Sequence, residues 1–303
     1  MKQKDINIPE KTISQFTKTI QSKFTYLDQD SILIFVCGGQ NNNEKPTARE
    51  RFMQYAEKHL KHYQFFMAEK FFEGFHDPDK TDLLTIEGKL ADFSDCVMII
   101  LESVGAFTEL GAFANNDRIA KIILAVNNNE FKNSESFVSS GPLAKINKVS
   151  KFKPSIFVDF DSILQAVNHI RDRLLTIERK NKKKIELNGY NQFKNIEPRL
   201  RMLFLMDIIT IFNPINHTEL IDILTNIYDK QGFDINVEIN MLRALGMLAN
   251  IQNFYVPALF KNRHYYSYFD FDLVKSRSEI INHYHKYYPK KVKALNTKMG
   301  ATT

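Results

Sequence analysis

The stretch that most constrains this chain is Val97-Met98-Ile99-Ile100-Leu101-Glu102-Ser103-Val104-Gly105-Ala106-Phe107-Thr108-Glu109-Leu110-Gly111-Ala112-Phe113. Its short apolar start, bounded by polar residues, reads as a buried parallel strand. It turns at Ser103-Val104-Gly105 and enters a helix with Leu110, Phe113 and Ala114 on one side. In an open α/β sheet, the turn leaving a strand's carboxyl end is where ligands bind. Glu109 is expected in the first turn of that helix, where the macrodipole favours an ionised carboxylate. Gly105 allows the sharp turn, and Gly111 would let the helix lie close to a strand or ligand. On spacing alone, such a junction more often carries no chemistry than some.

Other strands frame it. Ser31–Cys37 is β-branched and almost wholly apolar, and it runs into Gly38-Gly39-Gln40-Asn41-Asn42-Asn43 and then a helix from about Thr47 to Leu60. Strand, glycine turn and helix open a nucleotide-binding α/β unit, although Gly38-Gly39 matches neither G-x-G-x-x-G nor a Walker sequence. Arg49 and Arg51 stand at that helix start, where either could meet a phosphate or carboxylate or lie on the surface. Gln64–Ala68 reads as a strand and residues 71–80 as a loop. A helix over 81–93 follows, with Glu87 interrupting its apolar face and Asp92 and Asp95 at its end as turn residues. Ala120–Val126 and Pro154–Phe160 are further strands, separated by an irregular connection over 130–150, and a helix runs from about Asp161 to Leu174. The expectation is an α/β fold with a doubly wound, five-stranded parallel sheet in the order 2-1-3-4-5, preceded by an outer helix over 5–25.

The second half changes character. Residues 1–150 hold 18 Lys and Arg against 20 Asp and Glu, and residues 151–303 hold 23 against 15, so the formal excess of +6 lies in the second half. Glu178–Lys184, with Lys182, Lys183 and Lys184, reads as a solvated hinge or a phosphate-contacting segment. Helical periodicity then appears at Leu203–Phe212, at Thr218–Leu224 (capped by His217 or Thr218) and at Val237–Leu248 (capped by Asn236). Phe254–Val256 and Tyr265–Tyr268 flank Lys261-Asn262-Arg263-His264 and read as a basic-tipped wing, which completes a mainly α winged helix-turn-helix pattern. The third helix carries only Arg243 as a cation, which favours protein assembly or a composite nucleoprotein over sequence-specific reading of DNA. The tail His285–Lys291 is basic and aromatic, suited to pairing with or stacking on nucleic acid. The boundaries expected are 1–178 for the α/β domain, 179–198 for a basic linker, and 199–303 for the winged-helix domain and tail.

Two cysteines, Cys37 and Cys96, both in expected strands, fit buried reduced thiols in a cytoplasmic protein. His59/His62 and His283/His285 are isolated pairs without further ligands at metal spacing, so no metal site is expected. No run of about 18 apolar residues occurs, and neither a membrane association nor a signal peptide is expected.

Phe35-Val36-Cys37-Gly38-Gly39 together with Ile99–Asn116 resembles the nucleoside deoxyribosyltransferase-like effectors of bacterial retrons, which join such a domain to a C-terminal winged helix. The resemblance covers most of the chain, and its Glu-Ser-x-Gly-x-Phe-Thr-Glu-Leu-Gly-Ala-Phe segment is specific. It implies cleavage of an N-glycosidic bond with Glu109 as nucleophile. It implies that Glu87 orients ribose hydroxyls or assists proton transfer and that Glu102 binds ribose. Cys37, Gly38, Gly39, Arg49, Ser103, Gly105, Phe107 and Asn115 would line the substrate. Lys182, Lys183, Lys184, Arg243, Lys261 and Arg263 would face nucleic acid or a partner. Two departures from the small transferases, Ser103-Val104 in place of an Asp before the turn glycine and the absence of their chain-terminal site residue, favour hydrolysis or toxin-like transfer over base exchange. The resemblance implies NAD or a related nucleotide as substrate, with no cofactor. The implied partners are a retron reverse transcriptase and its RNA–DNA hybrid, msDNA, in a homo- or hetero-oligomer that keeps a toxin inactive until phage infection. The alternatives are a housekeeping nucleoside deoxyribosyltransferase and a non-enzymatic nucleic-acid-binding regulator with a nucleotide-sensing α/β domain.

Overall fold

A computed structural model describes residues 7–22, 25–27, 32–40, 45–72, 82–177, 183–258, 264–268 and 270–300. The chain divides into two compact units, one of residues 31–179 and one of residues 1–30 with 180–303. Elements are numbered along the whole chain. Helix α1 (Glu10–Ser22) and strand β1 (Thr25–Leu27) come first and belong to the second of these units.

The α/β unit contains β2 (Ile32–Cys37), α2 (Ala48–His59), β3 (Tyr63–Phe66), α3 (Ala68–Phe72), α4 (Leu83–Phe93) and β4 (Cys96–Ile100). It continues through α5 (Val104–Asn115), α6 (Asp117–Ala120), β5 (Ile123–Asn128), α7 (Ala144–Val149), β6 (Ile156–Val158) and α8 (Val167–Leu174). Its five strands are all parallel and lie in the order β3-β2-β4-β5-β6, which is the expected 2-1-3-4-5. Every residue of β2 and β4 is buried, because parallel strands are covered on both faces. Alternation sorts their side chains. Ile32, Ile34 and Val36, with Cys96, Met98 and Ile100, pack under Phe52 and Ala56 of α2 and Ile170 and Leu174 of α8. Phe35 and Cys37 have the opposite parity, and the Phe35 ring lies 6.3 Å from that of Phe113 on α5.

Some connections differ from expectation. The connection over 130–150 is largely helical: a π-turn at Ser139–Leu143 leads into α7, and the Ser136 hydroxyl accepts the Ser139 amide 3.2 Å away. Pro142 lies inside this turn. Residues 71 and 72 end α3, and residues 73–81 lie outside the described residues. Asp95 is a tie between strands, its carboxylate accepting the Leu33 amide at 2.9 Å.

The other unit comprises α1, β1, β7 (Lys183–Ile185), α9 (Tyr190–Asn195), α10 (Pro198–Phe212), α11 (His217–Tyr228), α12 (Asn236–Ala244), β8 (Leu248–Ile251), β9 (Phe254–Pro257), β10 (Tyr266–Ser267), α13 (Leu273–Tyr287) and α14 (Pro289–Gly300). Here the boundaries change. Residues 1–30 group with this unit because Phe16 of α1 is fully buried, its ring 5.6 Å from Phe212, 5.3 Å from Tyr268 and 5.0 Å from Phe271. The supposed linker contributes a strand and a helix, with β7 pairing antiparallel to β1. The hairpin is β8–β9, turned at Gln252 and Asn253 with positive φ at both, and not the pair of segments around 261–264. β10 pairs with β1 instead, held by Asp207, which accepts the amides of Tyr265 and Tyr266 and the Tyr268 hydroxyl at 2.8–2.9 Å. Asn216, not His217 or Thr218, caps α11 in a reciprocal box with Glu219, and Ile235 rather than Asn236 precedes α12. No helix among the described residues is long and apolar enough to cross a membrane.

Candidate active site

The candidate site lies at the carboxyl ends of β2 and β4. After β4, Ser103 caps α5 by accepting the Ala106 amide at 3.2 Å, so the helix starts at Val104 and Glu109 falls in its second turn. That corrects the expected first-turn position and, with it, the expected ionisation. Burial first and then nearby Glu87 raise the Glu109 carboxyl to about 7, against the partial opposition of a hydrogen bond with the Cys37 thiol and the charge of Arg49. One carboxyl oxygen, Oε2, is buried without a hydrogen-bond partner. A buried carboxylate in an acidic surrounding with an unused oxygen costs free energy, so it marks a site better than a decoration.

Cys37 ends β2 with its side chain on the α5 side of the sheet. Burial first, then Glu109 and Glu87, push its thiol well above the ordinary value, so the thiol stays protonated. Glu87 projects from α4, half-buried, and burial followed by the charge of Glu69 raises its carboxyl as well. Glu69, on α3 directly after β3, was not singled out in the sequence. Its own burial pushes it up, but the Arg49 guanidinium at 2.6 Å outweighs that and holds it below the ordinary carboxylate value. A signal existed: Glu69 follows a strand's carboxyl end, as Gly38 and Glu102 do. Arg49 itself is 6% exposed, so its charge acts inside the site and not on the surface.

Glu102, expected to bind ribose, is engaged by backbone amides. Its carboxylate accepts the amides of Gly39 at 3.1 Å, Ala48 at 2.6 Å and Arg49 at 3.0 Å, and so occupies the N-terminus of α2. That is where an anion is favoured by free amides and the helix dipole. The glycines follow from this clamp. A Cβ on Gly38 would stand 3.0 Å from Arg49 carbons and 3.2 Å from Glu102 Oε1, and one on Gly39 would stand 3.0 Å from Glu102 Cγ.

The remaining expected residues divide. Gly105 is exposed one turn before Glu109 on the same helix face, and a Cβ there would meet only Ser103 Oγ at 3.8 Å. Phe107 is half-buried in the same helix start. Asn115 is exposed at the far end of α5, about 9 Å along the axis from Glu109, and does not join the cluster. Gly111 is exposed with nothing within 4 Å of an added Cβ, so no close approach requires it. Arg51 donates to the carbonyls of Pro46 and Phe160, both at 2.6 Å, and braces the fold. Lys183 lies 3.5 Å from Glu197, Lys184 is exposed on β7, and Arg243 lies over the Tyr255 ring at 5.9 Å. Lys182, Lys261 and Arg263 lie outside the described residues. Cys37 and Cys96 are free and buried, and no group of three metal-ligating side chains occurs among the described residues. A cavity of about 530 Å³, lined by Ile32, Tyr55, His59, Tyr63 and Arg171, opens at the opposite, amino edge of the sheet. Its lining has no carboxylate.

These features define a class: an α/β protein with a half-buried acid cluster at the carboxyl edge of a parallel sheet, joined to a helical unit. Residues 45–254 match the family model described as STM3845 retron effector protein, and the chain belongs to that retron effector family. It is 32% identical over 263 residues to the Escherichia coli protein named "Retron Ec73 putative ribosyltransferase/DNA-binding protein", an overlap of 79% of this chain and 80% of that protein. The correspondingly named retron Ec86 protein of Escherichia coli is 32% identical over 117 residues, 39% of this chain and 38% of that one.

Proposed function

We propose that this retron effector is a toxin that cleaves the N-glycosidic bond of NAD or a related nucleotide, with Glu109 as nucleophile. The observation that carries the reading is the unpartnered Oε2 of Glu109 beside the raised acid Glu87. Family membership and relatives named as ribosyltransferases support the same class of chemistry. In the reaction, ionised Glu109 bonds to the anomeric carbon of ribose while the carbon–nitrogen bond breaks. With NAD the bonding pair neutralises the pyridinium nitrogen, and nicotinamide leaves without needing a proton. Water then attacks the anomeric carbon, Glu87 takes its proton, and the Glu109 carboxylate is released. Two carboxyl groups sharing these roles is the logic of retaining glycosidases. Cys37 donates its thiol hydrogen to Glu109 and leaves the other oxygen for attack. The retron reverse transcriptase and its RNA–DNA hybrid are the partners that hold the toxin inactive.

The test is NAD turnover by purified protein with identification of the products. Wild type should release nicotinamide, and Glu109→Gln should lower the rate by about a thousandfold or more, the scale of losing a nucleophile. Equal rates in the two proteins would overturn the assignment. Attack needs the ionised carboxylate, so kcat/KM should rise about tenfold per pH unit below about 7 and level off above it.

A further inference from the structure

In the helical unit, the position from which a helix-turn-helix protein reads bases is covered. On α12, Glu238, Ile239, Asn240, Met241, Leu242 and Ala244 are all buried, which leaves Asn236, Val237 and Arg243 at least partly exposed. Glu238 is bound to the Arg201 guanidinium, and Arg243 faces the Tyr255 ring. Groove readout needs several side chains reaching base edges from an open helix face, and α12 is built as a core helix.

The charge lies elsewhere. From α13 through α14 there are seven lysines and arginines against one acid, Glu279, and from residue 280 to 300 there are five lysines, two histidines and no acid. Two of the seven cations serve the fold. Arg277 binds the Ile211 and Asn213 carbonyls, and Lys291 is 2% exposed with its ammonium 2.9 Å from Glu219. Lys286, Lys290 and Lys293 are exposed around the α13–α14 elbow. Tyr287, 54% exposed, stands among them with the Lys286 ammonium 5.0 Å from its ring centre and the His283 ring 4.9 Å away. A row of solvated cations matches a phosphate backbone, and a half-exposed aromatic ring among them matches an unstacked base.

We propose that the α13–α14 elbow binds single-stranded nucleic acid, with Lys286, Lys290 and Lys293 on phosphates and a base on Tyr287. This deepens the functional reading, from which it takes the nucleic-acid nature of the partner, but it needs no chemistry at Glu109. The experiment is fluorescence anisotropy of a labelled 20-nucleotide single strand, and of the same strand in a duplex, against the full chain across a salt series. Lys286→Glu/Lys290→Glu/Lys293→Glu should weaken single-strand binding about tenfold or more at 0.1 M salt and reduce the salt slope by about 2. Tyr287→Ala should weaken it about fivefold or more, and the duplex by less. The equally charged Lys61→Glu/Lys132→Glu/Lys148→Glu protein, altered at exposed lysines of the α/β unit, should change affinity less than about threefold. Equal losses from both triple variants, wild-type binding by the elbow variants, or loss confined to Arg243→Ala would overturn the proposal. Circular dichroism checks folding, and the corresponding triple alanine variant replaces the reversal if that fails to fold. Because binding is read directly, Glu109→Gln protein should bind like wild type, which separates this surface from the glycosidase reading.

Discussion

At the residue scale, the site is governed by one conflict: Glu109 is half-buried beside another acid, and its carboxyl sits near 7 where an exposed one would be near 4.5. A carboxyl raised in the folded state binds more protons folded than unfolded between about 4.5 and 7, so its contribution to stability falls as pH rises through that window. Glu109→Gln should therefore stabilise the α/β unit by about 2 kcal/mol at pH 8, a Tm gain of several degrees, and by much less at pH 5. A melting-temperature difference independent of pH would contradict this origin. The sequence singled out Cys37, Arg49, Glu87 and Glu109 from strand ends and helix spacing, but not Glu69. It did not show the sign of the ionisation. That depends on where α5 begins, three residues earlier than a first-turn Glu109 requires, and on Glu87 arriving from another helix.

At the element scale, the junction of β2, its glycine loop and α2 is held by one carboxylate on three amides. Glu102→Ala should cost about 3 kcal/mol, because charge-assisted bonds are lost and three amide donors are left in a partly buried place. Urea unfolding of the α/β unit measures it, with Glu102→Gln, which keeps one acceptor oxygen, costing less. A loss below about 0.5 kcal/mol would mean that water replaces the clamp. The parallel strands were legible because apolar runs bounded by turns are local signals. The hairpin was not, since β10 finds its partner in β1, more than two hundred residues away, and Asp207 inside the core helps to hold that segment. Gln252 and Asn253, both able to adopt positive φ, were the overlooked signal for β8–β9.

For the whole molecule, one of the two units is discontinuous in sequence: the N-terminal helix completes the core formed by residues 180–303. Deleting residues 1–22 should lower the protection of that unit in hydrogen exchange while the 31–179 unit keeps its own. Periodicity revealed α1 but not its allegiance, since an amphipathic helix records that it is covered and not by what. Inside that unit, Glu219 and Lys291 form a pair removed from solvent, at 2.9 Å and under 7% exposed on both sides. Glu219→Ala, which strands the buried ammonium, should cost about 3–5 kcal/mol in denaturant unfolding. Lys291→Met should cost less, because Glu219 still accepts the Asn216 amide.

The central claim is that Glu109 becomes covalently glycosylated during turnover. Protein mixed with NAD, quenched in acid within one turnover and digested, should yield the peptide containing Glu109 carrying one ADP-ribosyl group, absent from Glu109→Gln protein. Nicotinamide release at an undiminished rate by Glu109→Gln, with no adduct on the wild-type peptide, would contradict it.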